Sequence, residues 1–364
     1  MGGDYSRASS PGGGGGRSIV GEGTLTAPEE RSVQLDGHLT CGICGHAQGT
    51  RHIATERMFG LGGRFEYFEC GRCGCVQLTT PPDDLAPYYP PTYYSFQEPD
   101  PDETLPAARW RRRLFRARNQ AQFFGGPWAA VTRWRSRPDF DWVPALLRHT
   151  GVRRLDARIL DVGCGSGGLL KRLRQSGFTN LVGCDPFLSS PITFATELTI
   201  HACAIDQLLP REAGRFDLVM FHHSLEHMVE PIAPLRAAAG LIGPRGRCLV
   251  AIPIASSVAW DTYQTDWVEL DPPRHFFLHT SRSFEIAARA AGLRVVRVEQ
   301  DGGPFEFLGS EVYRRGMTLT MADGRFRDLS QVFTREEHDL FARRAQDANA
   351  NGRGGRAIFY CERH

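Results

Sequence analysis

Residues 159–168 read Ile-Leu-Asp-Val-Gly-Cys-Gly-Ser-Gly-Gly, and this stretch decides the fold of the chain. An apolar run of strand type is followed by a glycine-rich turn and then by a helical pattern. Gly163, Gly165 and Gly168 have the spacing G-x-G-x-x-G, which is typical of a nucleotide-binding turn between a parallel strand and a helix. The pattern therefore predicts a ligand that lies against the backbone of this turn.

The sequence after residue 146 alternates short apolar runs with helical patterns, which indicates parallel strands covered by helices. In the helix after the glycine turn, Ser166 is predicted to be the N-cap and Gly177 to end the helix. The last strand is expected to be antiparallel. We therefore predict an α/β fold, a doubly wound, mostly parallel, seven-stranded Rossmann-like sheet. The predicted strands are 158–162, 181–185, 199–203, 217–221, 247–252, 293–299 and 356–361.

A G-x-G-x-x-G turn by itself also fits an NAD-binding domain, with Asp185 near the spacing expected for a ribose contact. Two details argue against NAD. Asp161 is acidic two residues before Gly163, where a dinucleotide-binding strand is usually apolar, and Gly167 adds a further glycine to the turn. An NAD-dependent redox enzyme is therefore the less favoured interpretation.

Four motifs in order resemble those of class I S-adenosylmethionine-dependent methyltransferases. Asp161-Val-Gly-Cys-Gly-Ser-Gly167 is similar to the first motif of that family, and Leu181-Val-Gly-Cys-Asp185 is similar to its second-strand acid. Residues 216–228 resemble the fourth-strand motif, and residues 241–253 resemble the fifth. The resemblance covers residues 158–299 and implies a methyltransferase that uses S-adenosylmethionine.

The resemblance also implies which residues hold the cofactor. Asp161 is expected to oppose the ammonium of the methionine end, directly or through water, and Asp185 to accept both ribose hydroxyls. Ile205 and Asp206 lie where the family flanks the adenine. The expected cofactor-binding residues are Asp161, Gly163, Cys164, Gly165, Gly167, Asp185, Pro186, Ile205 and Phe221.

Two short segments near the N-terminus, residues 41–45 and 70–74, repeat the pattern C-G-x-C-G. Two residues between two thiolates let both sulfurs face one ion, and the glycines permit the tight turn around it. We predict a closed structural zinc site, the alternative being pairs of buried free thiols. A four-cysteine module before such a core is similar to that of sugar C-methyltransferases. The predicted ligands are Cys41, Cys44, Cys70 and Cys73.

Composition and the positions of glycine and proline residues predict the domain boundaries. The glycine-rich start cannot bury enough side chain to offset its ordering entropy, and an arginine-rich helical stretch follows the cysteine module. Phe305, Phe307, Tyr313 and Arg314 are expected to line a lid over the substrate. The predicted parts are a disordered tail at 1–37, a zinc ribbon at 38–90, a helical linker or lid at 91–145, and a methyltransferase domain at 146–364 with a substrate-side insertion at 300–355.

Two histidines are candidate catalytic residues. Methyl transfer to a hydroxyl requires an aligned acceptor, exclusion of water and removal of the acceptor's proton. His227 follows the fourth strand of the family order and His275 lies in Leu-Asp-Pro-Pro-Arg-His, and a neutral imidazole can accept a proton near pH 7. Each is equally a candidate for a structural histidine. Asp271 either orients His275 or caps a turn.

Ubiquinone-biosynthesis O-methyltransferases also resemble the segment after this strand, with a Glu-x-x-Glu-His triplet implicated in binding a divalent ion. The corresponding residues here are His223, Glu226 and His227. Because Mg²⁺ prefers oxygen donors, the missing first carboxylate argues against that ion and leaves a second metal open.

Charge and composition restrict the partners. The chain has 43 Lys and Arg residues against 41 Asp and Glu residues, a net charge of +2, which makes no general electrostatic case for nucleic acid. Ten cysteines, four of them in tight pairs, favour a reducing compartment, and the sequence has no long apolar run of membrane-spanning type. We expect a cytoplasmic protein whose partner is a small-molecule methyl acceptor, without nucleic acid or membrane.

The favoured function is S-adenosylmethionine-dependent O-methylation of a small molecule such as a sugar, a glycoside or a natural-product intermediate. One alternative is a C- or N-methyltransferase of a sugar or related metabolite. Another is a catalytically inactive adaptor whose zinc ribbon binds a carrier, polymer or protein. Intact Asp161, Gly163, Gly165 and Asp185 argue against the adaptor.

Overall fold

The computed structural model describes residues 39–90, 117–124, 142–194 and 197–364. The predicted tail and most of the predicted linker lie outside the described residues. The strands are β1 (Gly49–Thr55), β2 (Arg64–Cys70), β3 (Val76–Leu78), β4 (Ile159–Val162), β5 (Leu181–Cys184), β6 (Ile192–Phe194), β7 (Leu198–His201), β8 (Phe216–His222), β9 (Ile242–Pro253), β10 (Phe277–Leu278), β11 (Leu293–Gln300) and β12 (Arg356–Arg363).

The helices are α1 (117–124), α2 (Trp142–Leu147), α3 (Gly168–Ser176), α4 (Leu209–Glu212), α5 (Ile232–Leu241), α6 (Val258–Tyr263), α7 (Ser281–Ala290), α8 (Phe305–Arg314) and α9 (Arg335–Ala350). Short 3-10 helices connect several of these elements. Within the described ranges, none of the helices combines the length and the apolar character that a membrane span requires.

The larger sheet has eight strands in the order β11-β12-β9-β8-β4-β5-β7-β6. From β9 to β7 the neighbours are parallel, and β12 is antiparallel to both β9 and β11 as predicted for the last strand. All seven predicted strands are present. The eighth, β6, pairs antiparallel with β7 at the sheet edge and was not expected. The prediction of a mostly parallel, Rossmann-like α/β fold is confirmed.

Successive side chains of the central strands point to opposite faces of this sheet. Leu160 packs in the hydrophobic cluster that includes Phe284 of α7, whereas its neighbour Ile159 packs in a second cluster with Leu173 of α3. Both faces are therefore buried by helices, which explains why the strands read as continuous apolar runs rather than as alternating patterns.

The helix after the glycine turn differs from its prediction at one end. Gly167, with a φ of 82°, is the N-cap of α3, and no side chain caps the helix. Ser166 is therefore not the N-cap, because the left-handed turn at Gly167 starts the helix one residue later. Gly177, with a φ of 109°, ends the helix as predicted.

The cysteine module forms a second sheet that includes part of the C-terminal half of the chain. Its strand order is β1-β2-β3-β10, and β10 pairs antiparallel with β3 through Phe277 opposite Gln77 and Leu278 opposite Val76. Thr280 donates its hydroxyl to the carbonyl of Cys73 at 2.6 Å. The module is thereby joined to the segment that carries His275.

Two aromatic residues of the insertion at 300–355, which were expected to line a lid, are buried in the core. Phe307 and Tyr313 are 0% and 3% exposed, and both belong to a cluster that also contains Tyr67 of the cysteine module and Trp267. Burial of each such side chain stabilises the fold by about 1.5–3 kcal/mol. Arg314 donates instead to the carbonyl of Thr262, and Phe305 is partly exposed.

Candidate functional site

The glycine turn lies between β4 and α3, where the sequence placed it. Gly163, Gly165 and Gly167 have φ values of 70°, 53° and 82°, a region that other residues enter only with strain. A Cβ atom on Gly163 would lie 2.6 Å from the Cβ of Ser224, and one on Gly167 would lie 2.5 Å from the Cδ1 of Ile200. Both positions therefore require glycine for conformational and for steric reasons.

Asp161 lies in β4, between β5 and β8, and is 3% exposed. Its carboxyl group makes no hydrogen bond with any of the described residues. Burial, together with the nearby charge of Asp185, raises the pKa of Asp161 to about 8. A buried carboxylate without a partner is costly unless a cation or a proton compensates its charge. The position is therefore suited to a cationic group of a ligand.

Asp185 follows β5 directly and is 5% exposed. One carboxylate oxygen accepts the N–H of Gly165 at 2.8 Å, and the other accepts the N–H of Phe187 at 2.9 Å. Each oxygen retains a further lone pair, so the carboxylate can accept two more hydrogen bonds from a ligand. Asp161 and Asp185 therefore flank the glycine turn from two adjacent strands, as the sequence predicted.

The other residues that were expected to bind the cofactor differ in their solvent exposure. Burial raises the pKa of the Cys164 thiol, and this sulfur lies 3.7 Å from the carbonyl oxygen of Gly165. Ile205 is 5% exposed, and Phe221 is fully buried in the core around β8. Pro186 is exposed.

Phe187 is a residue of this region that the sequence reasoning missed. It is 80% exposed, a high value for a large aromatic side chain, and its N–H binds the Asp185 carboxylate. The signal for it was available, because an aromatic residue directly follows the Asp-Pro pair at the end of a predicted strand. An exposed aromatic ring at this place offers a flat apolar surface to a ligand.

The segment after β8 packs directly against the glycine turn. Ser224 donates its hydroxyl to the carbonyl of Val162 at 2.6 Å, and its Cβ fills the space that a side chain on Gly163 would need. Leu225–His227 then form a short 3-10 helix. Glu226 and His227 are thus fixed close to the turn by a contact that involves two strands.

His227 and His275 lie side by side, with ring centroids 4.6 Å apart. The Nδ1 of His227 lies 2.9 Å from the carbonyl oxygen of Arg274, and the Nδ1 of His275 lies 2.7 Å from that of Glu269. Because a carbonyl only accepts, each Nδ1 is the donor, and the neutral form of either ring has its lone pair on Nε2. The hydroxyl of Tyr89 also lies 3.2 Å from the Nδ1 of His227. Burial and the neighbouring His275 lower the pKa of His227 to about 4, so this ring is neutral at pH 7.

Arg274 is a further residue that the sequence reasoning missed. It is fully buried, and its guanidinium donates to Asp271 through Nε at 2.8 Å and to Glu56 of the cysteine module at 3.2 Å. Asp271 thus binds Arg274, while its carboxylate is 3.8 Å from the Nε2 of His275. Asp271 therefore pairs mainly with Arg274, and its contact with His275 is the longer of the two.

The four cysteines of the two C-G-x-C-G segments converge on one point. Their ligand atoms all lie within 4.8 Å of one another, and the closest sulfur pairs are Cys41 with Cys73 at 3.6 Å and Cys44 with Cys70 at 3.5 Å. Four sulfurs at about 2.3 Å from one zinc ion are roughly 3.8 Å apart. The donor set therefore fits a closed tetrahedral site.

Comparisons with known proteins relate part of the chain to methyltransferases. Residues 132–298 match the family model described as a methyltransferase domain. The chain is similar to the ubiquinone biosynthesis O-methyltransferase of Caulobacter sp. (strain K31), at 35% identity over 101 residues that cover 26% of this chain and 40% of that protein. It is also similar to the tRNA U34 carboxymethyltransferase of Alcanivorax borkumensis, at 33% identity over 148 residues that cover 39% of this chain and 42% of that protein.

The chain therefore spans about two fifths of the length of these curated relatives. Among solved structures, the S-adenosylmethionine-dependent methyltransferase of Mesorhizobium loti aligns with a TM-score of 0.39 and 17% identity, over 63% of this chain and 99% of that one. Residues 132–298 thus match a methyltransferase domain, and the described residues have the mostly parallel, Rossmann-like sheet of a class I methyltransferase fold.

Proposed function

We propose that this chain transfers a methyl group from S-adenosylmethionine to an oxygen of a small molecule, such as a sugar, a glycoside or a natural-product intermediate. The observation that carries the proposal is the pair of buried carboxylates, Asp161 and Asp185, on either side of the glycine turn. The match to a methyltransferase domain supports the same reaction.

The residues around the turn fit this cofactor. The unpartnered carboxyl of Asp161 suits the ammonium of the methionine end, and the two free acceptor positions of Asp185 suit a pair of ribose hydroxyls. The cofactor supplies a methyl group activated by a sulfonium. The residues of this chain bind it, orient it and exclude water from the reacting atoms.

The acceptor is proposed to lie on the side of Glu226, His227 and His275, which packs against the glycine turn through Ser224. Attack by a hydroxyl requires loss of its proton. We assign this activation to His227 and His275, because both rings have their Nδ1 bound by a carbonyl and their Nε2 available.

We also propose that Cys41, Cys44, Cys70 and Cys73 bind a structural zinc ion. The four sulfurs fill a tetrahedral site and leave no open position for a substrate, so the ion shapes the module and takes no part in the reaction. Its effect reaches the candidate site through β10 and through the hydrogen bond from Thr280 to Cys73.

A second class of acceptor follows from the comparisons. One matching relative is named for tRNA, so the exclusion of nucleic acid expected from the charge balance is not part of the proposal. An oxygen of a small molecule remains favoured because the imidazole pair beside the turn is suited to an acceptor that must lose a proton. A transfer assay with both classes of acceptor separates them.

The first test is isothermal titration of the folded, zinc-loaded chain with S-adenosylmethionine. We expect wild type to bind and Asp185→Ala to lose about tenfold or more in affinity, since charge-assisted hydrogen bonds are removed. Asp323→Ala is the matched control, because Asp323 is a half-exposed acid that pairs only with neighbouring Arg325. Absence of binding by wild type would refute the proposal.

The second test uses S-adenosylmethionine with an isotopically labelled methyl group. Pools of glycosides, cell-extract metabolites and tRNA are incubated separately with the chain, and products are detected by mass spectrometry. A labelled small molecule with the label on oxygen supports the proposal. Label on carbon or nitrogen, or label in tRNA alone, would overturn the proposed oxygen acceptor and identify a different class of acceptor. Cofactor binding without any labelled product would support the adaptor interpretation.

A further inference from the structure

Three side chains outside the cysteine module converge next to the glycine turn. Glu226 and His227 come from the 3-10 helix after β8, and His275 comes from the segment before β10. One ligand atom from each of the three lies within 4.8 Å of the other two, a separation that a single ion bridges. The group therefore combines two imidazoles and one carboxylate.

The hydrogen bonds of both histidines leave the same atom available. Each Nδ1 donates to a backbone carbonyl, that of Arg274 for His227 and that of Glu269 for His275. A metal-ligating histidine usually has its second nitrogen bound in this way, which fixes the tautomer and the orientation of the ring. The carboxylate nearest the Nε2 of His275, that of Asp271, is occupied by Arg274.

Glu226 supplies the second observation. It is 1% exposed, and its Oε2 is buried without a hydrogen-bond partner. Its Oε1 lies 3.5 Å from the Nδ1 of His223, which is a long contact. A buried carboxylate oxygen without a donor is unfavourable in a native protein unless an unseen partner compensates it. Glu226 is the carboxylate of the same group that contains His227 and His275.

We propose that Glu226, His227 and His275 bind a divalent transition-metal ion. Two imidazoles and one carboxylate favour ions such as Zn²⁺, Fe²⁺ or Co²⁺ over Mg²⁺, which prefers oxygen donors. Three protein ligands leave at least one coordination position open. This donor set differs from the Glu-x-x-Glu-His triplet, since position 223 is a histidine outside the group and the third ligand comes from a distant segment.

The role of the ion rests on the proposed methyl transfer, whereas its binding does not. The bound ion would lower the pKa of an acceptor hydroxyl in the open position, and the proton of that hydroxyl would pass to solvent. Its oxygen then forms a bond to the methyl carbon while the carbon–sulfur bond breaks, and that electron pair remains on sulfur. With the ion bound, His227 and His275 would be ligands and not proton acceptors, so the ion would take over the activation that the metal-free site assigns to the two imidazoles.

Cobalt(II) titration of the full zinc-loaded chain tests the proposal, followed by visible absorption and calorimetry. We expect one cobalt equivalent beyond the zinc, with weak ligand-field bands and without the thiolate charge-transfer bands of cobalt bound to cysteine. Glu226→Gln and His275→Ala should each weaken this cobalt affinity by roughly tenfold or more. His364→Ala is the control, because His364 is an exposed histidine outside this group and the affinity should be unchanged.

A wild-type chain that binds no cobalt beyond the cysteine site overturns the proposal, and so does cobalt binding that persists in both variants. If Glu226→Gln fails to fold, His275→Ala and the wild-type metal count decide. Titration of the same samples with S-adenosylmethionine separates the two proposals. Cobalt binding without cofactor binding refutes the methyl transfer alone, and cofactor binding without cobalt binding refutes the metal site alone.

Discussion

At the scale of single residues, Asp161 has the most informative surroundings. It is buried and unpartnered, and its pKa is raised to about 8. The free protein therefore holds a proton on Asp161 at pH 7, whereas an ammonium ligand requires the carboxylate. An α-amino group itself titrates at about 7.7–8.0. Binding between pH 6 and pH 7 should therefore release a proton.

We expect the affinity for S-adenosylmethionine to rise from pH 6 to about pH 8, with release of about one proton at the lower pH. Calorimetry in buffers of different ionisation enthalpy measures this release directly. Asp161→Asn should bind more weakly and release no proton, while Asp323→Asn should behave as wild type. Proton release that is unchanged in Asp161→Asn would show that another group titrates.

The same carboxyl makes a prediction for stability without the cofactor. Its pKa is about 8 in the folded protein against an ordinary value of 3.8, so the folded state binds the extra proton between these values. The contribution is complete below about pH 4 and is lost as pH rises through about 8. Asp161→Asn should therefore abolish part of the decline in unfolding free energy over this range, measured by urea denaturation at several pH values.

Gly163 and Gly168 form a matched pair for the turn. An alanine Cβ at Gly163 would lie 2.6 Å from Ser224 at a φ of 70°, whereas at Gly168 no atom lies within 4 Å. Gly163→Ala should therefore lower the unfolding free energy by about 1–3 kcal/mol. Gly168→Ala, in the first turn of a helix, should leave it unchanged or raise it by up to about 1 kcal/mol. Equal effects in urea denaturation would contradict this account.

At the scale of elements, local patterns predicted most of the larger sheet. Every predicted strand is present, and the five parallel ones were recognisable because buried parallel strands are continuous apolar runs. Gly177 ends its helix as a glycine with a positive φ. The N-cap at Gly167 and the short β6 were missed. A left-handed turn overrode the capping preference of serine, and three residues at a sheet edge carry too little pattern to detect.

The candidate site also contains some residues that local motifs predicted and others that only the structure brings together. Asp161, Asp185 and the glycines lie in a continuous motif, so their juxtaposition follows from two adjacent strands. Arg274, Asp271 and Glu56 come together only through tertiary packing, and no spacing in the sequence links position 56 to position 274. Motifs therefore predicted the glycine turn and its two acids, while the elements that hold the histidines required the structure.

The buried ion pair between Glu56 and Arg274 should matter more than a surface pair in the same module. Both side chains are 0% exposed, so Glu56→Gln leaves the guanidinium with Asp271 as its one carboxylate partner among the described residues and should cost about 3–5 kcal/mol. Glu66→Gln removes the exposed pair with Arg51 and should cost less than about 1 kcal/mol. Urea denaturation of both variants checks this difference, and equal costs would contradict a structural role for the buried pair.

At the scale of the whole molecule, the cysteine module and the C-terminal part share a core and a sheet. Tyr67 of the module packs in one cluster with Trp267 and Phe307, and its hydroxyl donates to the carbonyl of His275 at 3.0 Å. β10 completes the small sheet from the other half of the chain. The module is therefore unlike an appended zinc finger, because its loss would expose apolar surface on the methyltransferase side.

Removal of zinc by a strong chelator should consequently affect the candidate site as well as the module. We expect faster amide hydrogen exchange at residues 271–280 as well as at 41–78. The reason is that β10 and His275 lose their partners when the two C-G-x-C-G segments unfold. Calorimetry should show one unfolding transition at lower temperature, since a shared core couples the two parts. The control is the exchange of β4 and β5 at the centre of the large sheet, which should stay slow. The opposite result would be a cysteine module that unfolds in a separate transition while exchange at 271–280 stays unchanged. It would show that zinc stabilises only the two C-G-x-C-G segments and that the large sheet alone holds the segment with His275.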